Sequence, residues 1–513
     1  MAKRARKTAI PPKNAQEGAA KPSSGLVVRH YCQGIGDCHL LKFAKDDGTD
    51  FWVLIDCGLH SSVPGSYDTI DTIVDDIALA TGGHIDVLVV THEHWDHVSG
   101  FLTAREKFAK IKVDTVWMGW TEDPKDPDAV AFDKYKAAAL SVTQQATLRL
   151  GQSADVDGVT ASVRAGLQSL AGFQFGAKGE KVRSARDAAR SLAAADPVYL
   201  EPTTPPFMLD KVPGVRVYVL GPPRDEDLLK LTVRDSEMYG AAVNSGWAIS
   251  DALSVSAGLT DDTEIGVDNF APFDPELGTS LKAALATGAA APTSGIDPLV
   301  AKFIERHYSG TSAAEGVTSK KSKAEFPQAL DQSWRRIDDD WLYASADLAM
   351  QIDSRTNNTS LVLAFEFIET GRVALFAADA QVGSWLSWQN LRWTVGEQQL
   401  TGSDLLARTV YYKVSHHGSE NATLKQNGLE QMTHPDLSAF VPTNARDAAK
   451  VGWHQMPFAG ILDALSARTS GRTVRADDEW IAKTDPAGLG PPITGSIQTW
   501  SHSPGLWVEI SIS

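Results

Sequence analysis

His92, His94, Asp96 and His97 fall within the run Thr91-His92-Glu93-His94-Trp95-Asp96-His97. Three imidazoles and a carboxylate are the donor types of a borderline-soft divalent transition metal, zinc first among them. His92 and His94 stand two apart, so both side chains can face the same way where the backbone is extended. The run directly follows Ile85-Asp86-Val87-Leu88-Val89-Val90. That segment is apolar, β-branched and too short for a helix, which predicts a buried strand presenting the cluster at its end.

Other strands must position the partners. Val373 to Ala378 is an apolar strand delivering Asp379, and Thr409 to Val414 delivers Ser415-His416-His417-Gly418-Ser419. Phe51 to Ile55 ends at Asp56. Leu26 to Tyr31 reads as a strand leading into the glycine turn Gln33-Gly34-Ile35-Gly36-Asp37-Cys38, and His39 to Phe43 returns from it. Val113 to Trp117, Val215 to Leu220 (closed by Gly221-Pro222-Pro223) and Leu361 to Phe367 are further strands, the last preceded by Asn357-Asn358-Thr359-Ser360. Helices are expected over Tyr67 to Leu79, from Val98 through Phe108, and over 338–352. Gly495 to Trp500 and Leu506 to Ile512 read as strands that finish a second sheet.

The pattern His-x-His-x-Asp-His after a hydrophobic strand resembles the metallo-β-lactamase superfamily. The glycine turn with Asp37, the strand with Gly-Pro-Pro, and His416-His417-Gly418-Ser419 are similar to the ComEC-type branch. The resemblance implies an α/β fold, an αββα sandwich over about 26–121, 206–231 and 332–513, with two largely helical insertions at about 122–205 and 232–331. It implies two divalent metal ions, zinc or alternatively manganese: His92 and His94 on one, Asp96, His97 and His416 on the other, and Asp379 bridging. Asp96 would also orient a water activated between the ions. His417, or His454 in Trp453-His454-Gln455-Met456-Pro457, would polarise substrate or protonate a leaving group. Asp56 would orient the histidine loop, with Asp37 and Ser419 as further supporting residues. Many superfamily members carry another histidine between the loop and the bridging aspartate. Only His307 lies there, inside an insertion, and Asn358 and Ser360 occupy about the expected place, Asn358 as a candidate catalytic residue.

Composition sets the frame. A chain of 513 residues with 43% hydrophobic and 22% charged residues can bury a large core, and no apolar run approaches the ~20 residues that span a bilayer. Three cysteines, Cys32, Cys38 and Cys57, make no disulfide scaffold, which points to a cytoplasmic setting and no membrane. Residues 1–25 carry six basic side chains against Glu17 and read as a disordered basic arm. The whole chain nevertheless has a net charge of −16, so binding to nucleic acid would need a local basic groove rather than bulk attraction. Lys181, Arg183, Arg186 and Arg190 mark one basic helix, read as a solvated face in preference to a nucleic-acid patch. The second insertion is expected to cover the active-site face, gated by substrate or by a regulatory protein partner.

The function these features imply is a metal-dependent hydrolase, a phosphodiesterase or nuclease acting on DNA, RNA or a nucleotide. A carbonyl-ester hydrolase for a lactone, thioester or β-lactam would use the same activated water. A non-catalytic, metal-stabilised binding subunit is the remaining alternative. An open coordination position disfavours it, because structural zinc sites are closed by four protein ligands.

Overall fold

The apolar run before the histidine cluster is the middle of a parallel three-strand unit. Strand β4 (His84–Val90) pairs in parallel with β3 (Asp50–Ile55) on one side and β5 (Lys112–Gly119) on the other. It is buried from Ile85 to Val90, as a central parallel strand covered on both faces must be. The computed structural model describes residues 25–31, 34–60, 63, 65–134, 136–137, 180–239, 355–450, 453, 455–485 and 495–513. All belong to one unit built from Met1–Ser245 and Leu342–Ser513. The basic arm, Cys32, Gln33, His307, the helix expected over 338–352, and His454 lie outside the described residues.

The first sheet continues through β1 (Leu26–His30), β2 (His39–Ala44), β6 (Val198–Leu200), β16 (Ile497–Ser503) and β17 (Trp507–Ile512), in the order β16-β17-β1-β2-β3-β4-β5-β6. The second contains β7 (Phe207–Met208), β8 (Val215–Gly221), β9 (Val362–Phe367), β10 (Arg372–Phe376), β13 (Thr409–Lys413), β14 (Ser438–Val441) and β15 (Thr473–Arg475), in the order β15-β14-β13-β10-β9-β8-β7. Strands β11 (Arg392–Val395) and β12 (Gln398–Thr401) form a separate hairpin.

Two expectations change here. The closing strands belong to the first sheet, because β17 pairs antiparallel with β1, Leu26 opposite Ile512. Strand β6 falls within 122–205, yet it pairs with β5, so that stretch contributes to the core sheet as well as carrying helix.

Three apolar clusters give the layering. One lies between the sheets, where Phe43 of β2 meets Phe365 of β9 at 5.5 Å between ring centroids. A second joins the outer face of the first sheet to helices α1 (Ser66–Thr81) and α2 (Trp95–Thr103). The third joins the second sheet to the helices Val382–Trp388, Gly402–Ala407 and Ala459–Arg468. The order is helix, sheet, sheet, helix. No helix among the described residues is long and apolar enough to cross a membrane.

Candidate metal centre

Helix α2 begins at Trp95, one residue after His94. Asp96 and His97 therefore stand on its first turn rather than in a loop, and His94 is the last extended residue before it. Across the sandwich, Asp379 follows β10, and His416 and His417 follow β13. Strand ends from both sheets thus meet at one rim, and every one of these residues is buried.

Two donor groups form there, sharing one carboxylate. Ligand atoms of Asp96, His97, Asp379 and His417 lie within 4.8 Å of one another, and so do those of His92, His94 and Asp379. In the first group His417 Nε2 is 2.8 Å from Asp96 Oδ2 and 3.5 Å from Asp379 Oδ2, and His97 Nε2 is 3.1 Å from Asp379 Oδ2. In the second, His92 Nε2 and His94 Nδ1 face each other at 3.0 Å.

Below the rim, Asp56 accepts hydrogen bonds from Thr91 N–H at 2.8 Å, from the Thr91 hydroxyl at 2.6 Å and from His97 Nδ1 at 2.8 Å. The tautomers follow from this. His97 uses Nδ1–H on Asp56, which turns Nε2 toward the carboxylates. Thr91, having given its proton to Asp56, accepts from His92 Nδ1–H at 3.1 Å, which leaves His92 Nε2 with its lone pair. Fixing one imidazole nitrogen to present the other is how metal-ligating histidines are oriented. Ser360 Oγ joins the halves, accepting from Asp379 N–H at 3.2 Å and lying 3.4 Å from His92 Nδ1.

A divalent cation fits this set of donors. Asp96 Oδ1 and Asp379 Oδ1 are buried without a hydrogen-bond partner, and His97 Nε2 and Asp379 Oδ2 have none beyond their imidazole–carboxylate contacts, an arrangement that is costly unless another charge satisfies it. Burial works to depress His97 and His417, yet Asp379 and Asp96 outweigh it and hold both above the usual imidazole value. The site demands positive charge. Burial and neighbouring imidazoles instead keep His92 well below that value and His94 at about 3, so both are neutral donors.

The structure places His416 and His417 the other way round from the sequence reading. His417 enters the carboxylate group, whereas His416 turns aside to Ser419 Oγ at 2.7 Å and Gln381 Nε2 at 3.1 Å from its Nδ1, with Asn357 Nδ2 at 3.2 Å from its Nε2. Both residues have left-handed backbone, φ 40° and 55°, and that double turn decides which side chain reaches inward. Asn358 is not available to substrate. Its amide donates to the Leu229 and Leu231 carbonyls and accepts from Gln381 and Ser384 N–H, so it ties the segment Leu229–Leu231 to the helix Val382–Trp388. Asp37 lies beneath the rim, ion-paired to Lys413.

Backbone strain concentrates at the centre. Six described non-glycine residues have positive φ, and four of them are Asp56, Ala378, His416 and His417. Such residues cost about 1–3 kcal/mol each and persist where the surroundings over-determine them.

Sequence reasoning missed Asn357, Gln381, Lys413 and the role of Glu93. A lysine closing the otherwise apolar strand before His416 was a readable signal. Asn357 and Gln381 had none beyond lying beside Asn358 and Asp379. Glu93 is buried against Lys136 at 3.0 Å and Arg186 at 2.8 Å. Those two cations come from the 122–205 stretch, so no local pattern announces them. Arg186 and Arg190 also approach Glu122, and the basic helix Glu180–Arg190 therefore spends much of its charge within the chain.

Residues 33–160 match the family model of the metallo-beta-lactamase superfamily. The match takes in β2 to β5 and the His92–His97 run, and it supports a metal-dependent hydrolase. No curated protein matches the chain, and no solved structure does.

Proposed function

We propose that this chain is a metal-dependent phosphodiesterase acting on a nucleic acid or a nucleotide. The observation that carries the reading is Asp379, one carboxylate common to two buried donor groups. His92 and His94 would hold one cation with it, and Asp96, His97 and His417 the other. Paired divalent ions supply Lewis acidity and an activated water, and they suit in-line displacement at phosphorus by neutralising both the attacking and the leaving oxygen.

The chain's own groups then divide the work. Asp56 holds Thr91 and His97 in place and touches no substrate. His416 is the proton-handling residue: its Nδ1 lies 2.7 Å from the Ser419 hydroxyl, which donates onward to Asn421 Oδ1 at 2.8 Å, and its Nε2 faces the Asn357 amide at 3.2 Å. Burial brings His416 down to about 4, which leaves it neutral and able to accept a proton at neutral pH. Beside it, Asn357 Oδ1 and Gln381 Oε1 are buried without hydrogen-bond partners, acceptors that a hydroxyl or N–H of a bound nucleotide would satisfy.

A substrate panel tests the reading. The full chain, loaded with Zn²⁺ or Mn²⁺, is assayed on bis(p-nitrophenyl) phosphate, single- and double-stranded DNA, RNA, a lactone, a thioester and a β-lactam. Turnover of phosphodiesters is expected. Turnover of the carbonyl substrates alone would reject the proposal in favour of acyl hydrolysis, and no turnover by a fully loaded chain would favour a binding subunit.

A further inference from the structure

Lys413, the last residue of β13, is 1% exposed between the two sheets. Its ammonium forms an ion pair with Asp37, itself 1% exposed, and donates to the Ala378 carbonyl at 3.3 Å. Both partners lead directly to the rim. Asp37 donates its backbone N–H to the Asp96 carbonyl at 3.0 Å and accepts from Gly58 N–H at 3.0 Å. The turn carrying Asp37 lies so close to that segment that a Cβ on Gly36 would sit 2.8 Å from the Asp96 carbonyl oxygen. On the other side, the Ala378 carbonyl also accepts from His416 N–H at 3.0 Å, and Ala378 immediately precedes Asp379. A short path therefore runs from Asp96 through Asp37, Lys413 and Ala378 to Asp379, crossing from one sheet to the other.

A buried ion pair adds little stability over well-packed apolar side chains of the same volume, and fixing a unique arrangement is its best-attested use. Here the need for one is specific. Asp96 stands on the helix after β4 and Asp379 follows β10, so the two carboxylates that face His97 and His417 are carried from different sheets and their separation must be fixed by contacts across the sandwich. A row of buried polar groups anchors the pair: His39 Nε2 is 3.4 Å from Asp37 Oδ2, His39 and His30 meet at 2.9 Å through their Nδ1 atoms, and His30 Nε2 reaches the Tyr411 hydroxyl at 2.6 Å. Tyr411 is two residues before Lys413 on the same strand, so the connection spans the sheets at two points.

We propose that the Lys413–Asp37 pair is a positioning strut that sets the separation of the Asp96 and Asp379 carboxylates, and thereby the affinity for the cation held by Asp96, His97, Asp379 and His417. The inference rests on the metal-centre reading above. It makes Lys413 and Asp37 positioning residues, since neither need touch the ion or the substrate.

The test uses the full chain and Co²⁺ as probe. The parent, the neutral pair Asp37→Asn with Lys413→Met, and Lys413→Arg are titrated against a competing chelator, with the visible Co²⁺ spectrum recorded and melting measured in metal-free buffer. The neutral pair is expected to melt close to the parent and to bind one equivalent normally. The other equivalent should bind at least about tenfold more weakly, with a changed visible band. Two equivalents bound with the parent's affinity and spectrum would make the pair merely structural and overturn the proposal. If the neutral pair does not fold, Lys413→Arg decides on the same readouts: a tenfold loss supports the strut, and parental binding rejects it. A folded parent that takes up no Co²⁺ overturns the metal reading itself, and this inference with it.

Discussion

His97 Nε2 and Asp379 Oδ2 lie 3.1 Å apart, one carried by the helix after β4 and the other following β10, and neither atom has a hydrogen-bond partner beyond these imidazole–carboxylate contacts. A shared cation satisfies both. Metal analysis of the purified chain should therefore find divalent ions. Chelation should lower the melting temperature by several degrees, because a ligand bound only to the native state adds to its stability. Asp379→Asn should weaken both ions, since this carboxylate belongs to both groups. The same carboxylates that raise His97 and His417 make them hold protons the metal must displace, so affinity should increase with pH through their titration. An affinity that is flat with pH, measured by chelator competition, would speak against these ligands.

The adjacent histidines should separate cleanly. His417→Ala removes a donor 2.8 Å from Asp96 and should reduce metal content. His416→Ala should leave the metal content unchanged and lower kcat by about 10²–10⁴, the usual worth of a general acid or base. Metal content and single-turnover rates on one phosphodiester decide the matter, and equal metal loss in both variants would refute the division of roles.

Ala378 adopts φ 47° immediately before Asp379. Ala378→Gly relieves roughly 1–2 kcal/mol of left-handed strain against a cost of about 0.5–1 kcal/mol in unfolded-state entropy. Chemical unfolding of the metal-free variant should show stability equal to the parent's or slightly higher. Metal affinity should nevertheless fall, because the freed backbone no longer fixes the carboxylate. Tighter metal binding in this variant would contradict a strained, pre-set centre.

These cases mark how far the sequence carries. Strands β4, β10 and β13 could be read directly, because each is a short apolar run with chemistry at its end. The meeting of Asp379 with the His92–His97 run follows once the strands are stacked in two sheets. The choice between His416 and His417 could not be read, because it depends on two consecutive left-handed residues that no periodicity encodes. Asn357 and Asn358 are likewise neighbours in sequence with opposite fates, one facing His416 and the other consumed by the backbone of another segment. Strand β6 was hidden by its helix-rich surroundings and by its length of three residues.

Glu93 supplies the last expectation, which concerns stability against pH. Burial would raise its carboxyl, but Lys136 and Arg186 outweigh that and bring it from the usual 4.5 to about 2. A carboxyl depressed in the folded state stabilises the protein fully above its unfolded value, and that contribution disappears as pH falls from about 4.5 toward 2. The contribution is on the order of 3 kcal/mol. Glu93→Gln should cost about 3–5 kcal/mol at neutral pH, because it leaves Lys136 and Arg186 buried with one carboxylate fewer. It should also remove part of the acid sensitivity. Urea unfolding at pH 7 and pH 3 reads both effects: the parent should lose more stability between the two than the variant does. Parallel losses in both proteins would mean that Glu93 is not what holds the metal-bearing segment to the 122–205 stretch at neutral pH.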